Sequence, residues 1–184
     1  MRFLIIIIVF VNSCLIGQEL DFYKEDLTFR LNKNYFKVDG LYWFANHSDQ
    51  NIKSIIYFPF SEGIENIDSV EVFNLTKGQS SRKLNKHKMG ISFLLEAAPN
   101  DTLIYNIKYN QKITCDSVQY ILLTTKYWNK PLETAEYKLI IEDSLKLTGS
   151  SYEPDKFYKI DGQEILYWRK QKFMPQKDFI FHFK

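Results

Sequence analysis

Short segments in which apolar and polar side chains alternate recur along this chain, and they constrain its fold more than any other feature. In the clearest example Leu27, Phe29 and Leu31 alternate with a threonine and an arginine. A period of two places successive side chains on opposite faces of a β-strand, so that one face can be buried. No apolar pattern with a helical period is sustained along the chain. The alternation therefore predicts an all-β protein.

The longest alternating segment covers residues 35–45. Its even-numbered side chains from Phe36 to Phe44 are predicted to share one face, and Trp43 lies on the other face with lysine and aspartate. The next apolar run, residues 52–60, contains Pro59, which has no N–H group for a ladder hydrogen bond. Pro59 therefore predicts a sheet edge, a bulge or the end of a strand.

About ten such segments, roughly 8 to 12 residues apart and separated by polar turns, indicate an Ig-like antiparallel β-sandwich. Residues 118–125 and 135–142 are two of them. A parallel α/β fold would need crossover helices, and no segment predicts one. The 184 residues fit a single domain over residues 18–184 after a short leader. An aromatic content of 16% favours a densely packed core over a disordered chain.

Residues 1–17 have the order of a signal peptide. Arg2 gives a minimal positive region, residues 3–11 form an apolar region, and a more polar stretch follows. The apolar region is far shorter than the roughly 20 residues that cross a bilayer as a helix. The sequence therefore predicts cleavage before Gln18 and an extracytoplasmic protein, either periplasmic or secreted.

Cys14 offers an alternative, since a lipoprotein carries its lipid on the first cysteine of the mature chain. Val11 and Ser13 fit the residues expected before such a cysteine, whereas Asn12 does not. Lipidation of Cys14, or retention of the leader, would tether the protein to a membrane. Whether Cys14 is removed with the leader or carries a lipid, Cys115 is the one free thiol left in the mature protein. No intramolecular disulfide is therefore predicted.

The charge balance argues against nucleic acid as a partner, because 24 basic residues nearly match 22 acidic residues. The charges are segregated locally. Residues 76–88 include Lys83 and Lys86 and contain no acid, whereas residues 62–71 contain four acids and no base. Such segments usually keep a hairpin soluble and its edge unpaired. The sharper alternative is that Lys83 and Lys86 contact anionic headgroups or acidic glycans.

No catalytic constellation is recognisable in the sequence. The three histidines are widely separated and lack His-x-x-x-His spacing, and there is no Gly-x-Ser-x-Gly elbow or glycine-rich phosphate loop. The sequence therefore predicts no catalytic residue, no metal and no cofactor. Catalysis of hydrolysis by a pair of carboxylates remains an alternative, because the distance between two acids depends on the fold.

Two tryptophans are the candidate ligand-binding side chains. Trp43 lies on the mixed polar face of its segment, and Trp168 is flanked by Glu164 and Arg169. Exposed aromatic rings among polar groups can stack on a sugar or anchor a protein partner. The alternative is that both tryptophans belong to the core, since few small residues are available to fill the interior.

Residues 119–141, QYILLTTKYWNKPLETAEYKLII, resemble a strand, Thr-Thr, Trp, Pro-Leu, Ala, strand pattern of secreted bacterial β-sandwich domains of uncharacterised function. YFPF at residues 57–60 and FMPQKDF at residues 173–179 resemble further parts of that pattern. The resemblance implies a β-sandwich and brings no catalytic residues. Physically, the segment fits a wide connection in which Trp128 caps the open end of the sandwich and Pro131 fixes the re-entry of the chain.

Together these observations predict an exported, noncatalytic binding or structural module of the bacterial cell envelope, with an unidentified envelope protein or glycan as its partner. A carbohydrate-recognition domain that uses Trp43 or Trp168 is the first alternative. An envelope hydrolase whose acids are scattered through the sequence is the second. A membrane partner is expected only if Cys14 is lipidated or the leader is retained.

Overall fold

The computed structural model describes residues 20–81, 83–142 and 144–184. The predicted leader and Cys14 lie outside the described residues. Within those ranges the chain forms 14 β-strands and two short 3₁₀ helices. The helices are Ile64–Asn66 and Leu123–Trp128, and the strands are β1 Leu20–Leu31, β2 Tyr35–Asn46, β3 Ile52–Pro59, β4 Ile67–Asn74, β5 Gln79–Ser80, β6 Asn85–His87, β7 Gly90–Ala97, β8 Thr102–Lys112, β9 Ser117–Tyr120, β10 Leu132–Ile141, β11 Leu147–Ser150, β12 Lys156–Ile160, β13 Gln163–Phe173 and β14 Phe179–Phe183.

The strands form three sheets that pack as a sandwich, which confirms the predicted all-β architecture. The large sheet has the strand order β12-β13-β10-β1-β2-β8-β4-β5, and two smaller sheets have the orders β3-β7-β6 and β11-β14-β9. Both small sheets pack on the same face of the large sheet. The ring centroids of Phe29 in β1 and Phe181 in β14 are 5.5 Å apart, and those of Tyr42 in β2 and Phe58 in β3 are 5.6 Å apart. One cluster of buried side chains from all three sheets forms the core.

The pairing of β1 with β10 departs from the predicted antiparallel arrangement. These two strands run in parallel, from Lys24 beside Thr134 to Leu31 beside Ile141. The other strand pairs in the described part of the chain are antiparallel. A parallel pair needs a long connection, and the strands β2 to β9 supply it here in place of a crossover helix.

Burial along the first three strands follows the predicted pattern. The apolar side chains of residues 27–31 face the core, as do the even-numbered residues of β2 from Phe36 to Phe44. Trp43 lies on the opposite face of β2. Pro59 is the last residue of β3, and β3 is an edge strand, as expected for a residue without an N–H group.

The chain between β9 and β10 differs from the prediction of a strand over residues 118–125. β9 ends at Tyr120, and the 3₁₀ helix Leu123–Trp128 follows. A short apolar run does not distinguish a strand from a helical segment by its pattern alone. The helix ends at Asn129, whose φ of 56° lies in the left-handed region. The 3₁₀ helix places the Trp128 ring against Phe22 of β1 and Phe44 of β2.

Candidate ligand-binding cleft

A cleft of about 530 Å³ lies between the two small sheets and is closed below by the large sheet. β3 and β9 are edge strands of different small sheets and do not pair with each other. β3 forms one wall, β9 and the 3₁₀ helix form the other, and β1 and β2 form the floor. We refer to it as the Glu25 cleft, and its principal lining residues are Phe22, Glu25, Tyr42, Phe44, Tyr120 and Trp128.

Glu25 continues the inward-facing alternation of Leu27 and Phe29, and an irregularity in β1 brings Phe22 onto the same face. The register between β1 and β2 shifts between Phe22 and Lys24, as it does at a β-bulge. In a regular strand, residues three positions apart lie on opposite faces. The shift instead places Phe22 and Glu25 on the same buried face. Glu25 then pairs with Tyr42 of β2 and is only 2% exposed.

Within the described ranges, the Glu25 carboxyl group has one hydrogen bond and no positive partner. The Tyr137 hydroxyl group donates to its Oε1 atom. Among the ion pairs of residues 20–81, 83–142 and 144–184, none involves Glu25. Burial raises the pKa of Glu25 to about 7, while the hydrogen bond from Tyr137 acts in the opposite direction. Near neutral pH the carboxyl group is therefore divided between its protonated and ionised forms.

Three tyrosine hydroxyl groups lie close to Glu25. Those of Tyr42 and Tyr120 are hydrogen-bonded to each other at 2.8 Å, and that of Tyr137 donates to the carboxyl group. Burial raises the pKa of all three tyrosines well above the usual value, and the negative charge of Glu25 adds to the effect. The three phenols therefore stay neutral, and Glu25 is the member of this cluster that titrates near pH 7.

Aromatic rings line the cleft beside the 3₁₀ helix. The Trp128 ring lies 5.8 Å from the Phe22 centroid and 5.6 Å from the Phe44 centroid, and the two phenylalanine rings stack at 5.2 Å. At the rim, Tyr127 is 80% exposed and Ile55 is 72% exposed. The cleft thus combines aromatic walls, an exposed apolar rim and one buried carboxyl group.

Trp168 is a core residue, as the core alternative predicted, and this excludes its alternative role as an exposed binding side chain. It has 0% exposure, its Nε1–H donates to the Tyr152 carbonyl oxygen at 3.0 Å, and its ring lies 5.1 Å from that of Phe179. The physical reason is the alternation along β13, in which Leu166 and Trp168 face inward while Arg169 is exposed.

Trp43 lies on the outer face of the large sheet, opposite the Glu25 cleft. The Lys24 ammonium group stands over its ring at 4.3 Å from the centroid, in a cation–π contact. Of the two faces of the Trp43 ring that could stack on a sugar, one is therefore already covered by Lys24.

The two predicted lysines are exposed and lie apart from the Glu25 cleft. Lys83 lines a separate cleft of about 300 Å³ together with Lys77 and Glu96, and the Lys77 ammonium group donates to the Glu96 carbonyl oxygen at 2.7 Å. Lys86 lies in β6. None of the four residues predicted to bind a ligand, the two tryptophans and these two lysines, lines the Glu25 cleft.

Sequence reasoning missed Glu25, although a signal for it was present. Extending the alternation of residues 27–31 by one step toward the N-terminus reaches Glu25, so the pattern itself places an acid on a buried face. An acid at such a position is unusual enough to mark a candidate site. The β-bulge and the partner Tyr137, 112 residues away, have no comparable signal in the sequence.

Other chemically reactive side chains in the described part of the chain are dispersed. Cys115 is exposed, and its thiol donates to the Ser117 carbonyl oxygen at 3.3 Å. His87 Nε2 lies 2.8 Å from the Ser92 hydroxyl oxygen. Within the described ranges no group of three or more His, Cys, Asp or Glu could hold a metal ion. The same ranges contain no helix with the length and apolar character needed to cross a bilayer.

Comparison with known proteins identifies a shared fold. No protein-family model and no curated protein matches the sequence. A candidate nutrient binding protein from Legionella pneumophila superposes on the chain with a TM-score of 0.74 at 12% identity. The superposition covers 91% of this chain and 67% of that protein.

Two M1 zinc metallopeptidase structures share the fold over part of their length. One is a two-domain variant bound to L-tryptophan and the other comes from Deinococcus radiodurans, and each has a TM-score of 0.55 at 11% identity. They match 90% and 89% of this chain, which spans 43% and 42% of theirs. The chain therefore covers less than half of these enzymes, and at such identities the likeness establishes the β fold alone.

Proposed function

We propose that this protein is an exported, noncatalytic binding module of the bacterial cell envelope and that the Glu25 cleft is its ligand site. The observation that carries the proposal is a cleft of about 530 Å³ with a buried carboxyl group beside aromatic walls. Small-molecule sites are typically concave and mostly apolar, with a few polar groups and volumes of roughly 300–1,000 Å³. The Glu25 cleft has these properties.

The energetic cost of the cleft supports a role in binding. Protein interiors are normally close-packed, and side chains beside an open volume lose contacts that would stabilise the fold. A buried carboxyl group without a basic partner adds a desolvation cost. Features that cost stability, and groups with strongly shifted pKa values, are concentrated at functional sites.

The comparisons and the leader support the remaining parts of the proposal. The L. pneumophila protein with the same fold is described as a candidate nutrient binding protein, which agrees with a binding role. Export to an extracytoplasmic location rests on the signal-peptide order of residues 1–17.

The Glu25 cleft is a better candidate than the sites of the two alternatives. For carbohydrate recognition, Trp168 is buried and Lys24 covers one face of Trp43. For a hydrolase, Glu25 is the single acid among the described residues that line the cleft. The paired carboxylates of glycoside hydrolysis are therefore not brought together there.

Titration with N-phenyl-1-naphthylamine, a neutral apolar fluorophore, tests whether the cleft takes a ligand. We expect saturable fluorescence enhancement with the purified wild-type protein. Thr124→Phe should weaken binding by about tenfold or more, because Thr124 lines the cleft and a larger side chain would fill it.

Thr148→Phe is the matched control, since Thr148 is exposed on β11 and lies outside the cleft. It should bind the fluorophore as the wild type does. Absence of saturable binding, or equal affinity of Thr124→Phe and the wild type, would reject the Glu25 cleft as the ligand site.

A further inference from the structure

We propose that the ligand of the Glu25 cleft is an amphipathic primary amine, whose ammonium group pairs with Glu25 and whose apolar body lies along the aromatic walls. This inference rests on the proposed ligand role of the cleft and names the class of ligand.

The first argument is the hydrogen-bonding capacity of the carboxyl group. Tyr137 donates to Oε1, and no group in the described part of the chain donates to Oε2. Glu25 lines the cleft, so a ligand that enters can approach the carboxyl group. An ionised carboxylate accepts several hydrogen bonds, and a primary ammonium group supplies three N–H donors.

The second argument is charge. Ionised acids are almost never fully buried without a partner. The groups around Glu25 are neutral phenols, namely Tyr42 from β2, Tyr120 from β9 and Tyr137 from β10. They can donate or accept hydrogen bonds but cannot neutralise a negative charge. A ligand ammonium group would supply the missing positive charge beside a carboxyl group that is only 2% exposed, where the pairing is stronger than in water.

The third argument is the surface between Glu25 and the solvent. The rings of Phe22, Phe44 and Trp128 line the same cleft as the carboxyl group, and aromatic rings attract cations as well as apolar groups. Farther out, the rim exposes Ile55 and Tyr127. The cationic end of such a ligand would therefore pair with Glu25, and its apolar body would contact the aromatic walls and the exposed rim.

A protonated Glu25 that donates to a neutral oxygen of the ligand is the competing arrangement. The two arrangements make opposite demands on the ligand. Pairing with an ammonium group favours an amine over the corresponding alcohol, whereas donation to an oxygen favours the alcohol or leaves the two equal.

Three probes of similar size separate these arrangements. Phenethylamine, 2-phenylethanol and 3-phenylpropanoate share an aromatic body and differ in their polar end. By isothermal titration calorimetry with the wild-type protein at about pH 8, we expect phenethylamine to bind at least about tenfold more tightly than 2-phenylethanol. We expect 3-phenylpropanoate to be rejected, because its carboxylate would face that of Glu25.

Glu25→Gln is the decisive variant, because its amide keeps an oxygen acceptor for Tyr137 and has no charge. It should bind phenethylamine at least about tenfold more weakly than the wild type does and lose the preference for the amine over 2-phenylethanol. Equal binding of the amine and the alcohol by the wild type, or a preference that persists in Glu25→Gln, would overturn the proposal. The ranking of the three probes by the wild type is a second readout that does not depend on folding of the variant.

The failure of this inference is distinguishable from failure of the ligand site itself. If Thr124→Phe blocks binding of N-phenyl-1-naphthylamine but phenethylamine is not preferred, the cleft remains the binding site and the ligand is not an amine. If the fluorophore does not bind either, both proposals fail.

Discussion

At the scale of single residues, Glu25 is a side chain whose protonation near neutral pH is set by its burial. Burial raises its pKa from 4.5 to about 7, so the folded protein holds a proton on Glu25 more tightly than the unfolded chain does. The resulting stabilisation is fully present below pH 4.5 and is lost as the pH rises through 7. Ionisation of Glu25 without a ligand therefore opposes folding.

We expect Glu25→Gln to remove this pH dependence, because the amide stays neutral. Below pH 4.5 the difference in free energy of unfolding between the wild type and Glu25→Gln should be independent of pH. Relative to that baseline, the wild type should lose up to about 3 kcal/mol by the time the pH exceeds 7. Urea unfolding over this pH range measures the difference, and parallel curves for the two proteins would contradict the raised pKa.

Gly40 is required for close packing on the floor of the sandwich. A Cβ atom there would lie 2.5 Å from Leu27 Cδ2 and 2.6 Å from the Tyr42 hydroxyl oxygen. Gly40→Ala should therefore lower the free energy of unfolding by about 1–3 kcal/mol. Gly149→Ala is the control, since its Cβ would meet only His182 atoms at 3.7 and 3.9 Å. Urea denaturation compares the two, and a Gly40→Ala variant no less stable than its control would refute the packing argument.

At the scale of elements, the sequence predicts strands well where a face is buried. β2 and β7 follow from their apolar and aromatic residues, and Pro59 correctly predicts the end of β3. The 3₁₀ helix Leu123–Trp128 was not predictable, because its apolar residues continue the run of β9 without a change of period. That helix forms part of one wall of the Glu25 cleft, so the cleft could not be predicted from the sequence either.

Asn129 ends this helix with a positive φ of 56°, next to Trp128. A β-branched side chain is strained in that conformation, whereas glycine is not. We expect Asn129→Val to lower the free energy of unfolding by about 1–2 kcal/mol and to weaken fluorophore binding, since Trp128 lines the cleft. Asn129→Gly should leave binding unchanged. Thermal unfolding and the fluorescence titration provide the two measurements, and equal behaviour of the two variants would exclude this role for Asn129.

At the scale of the whole molecule, the arrangement of sheets could not be read from the chain. Local alternation shows which side of β1 is buried, but the choice of β10 as its parallel neighbour depends on contacts between distant segments. The cleft arises at the same scale, because β3 and β9 belong to different small sheets and leave a space between them. An acid at position 25 was visible in the sequence, whereas the cleft around it was not.

Processing of the leader is testable on the intact protein. We expect the mature chain recovered from its native host to begin at Gln18, as the order of residues 1–17 predicts. Because Cys14 would then be removed, Cys14→Ser should give the same mature mass. Intact-mass spectrometry checks both proteins, and a diacylglycerol mass on Cys14 would establish the lipid-anchored alternative instead.

The central position of β1 in the large sheet has a consequence for the order of folding. β1 lies between β2 and β10, and its contact from Glu25 to Tyr137 joins residues 112 apart in sequence. Contacts between residues so far apart in sequence form slowly, because the long loop between them must close before the contact can stabilise it. β1 therefore lacks its second neighbour until β10 has been synthesised. The Glu25 cleft therefore takes its final form only after β10 has been made, because Tyr137 of that strand holds the Glu25 carboxyl group.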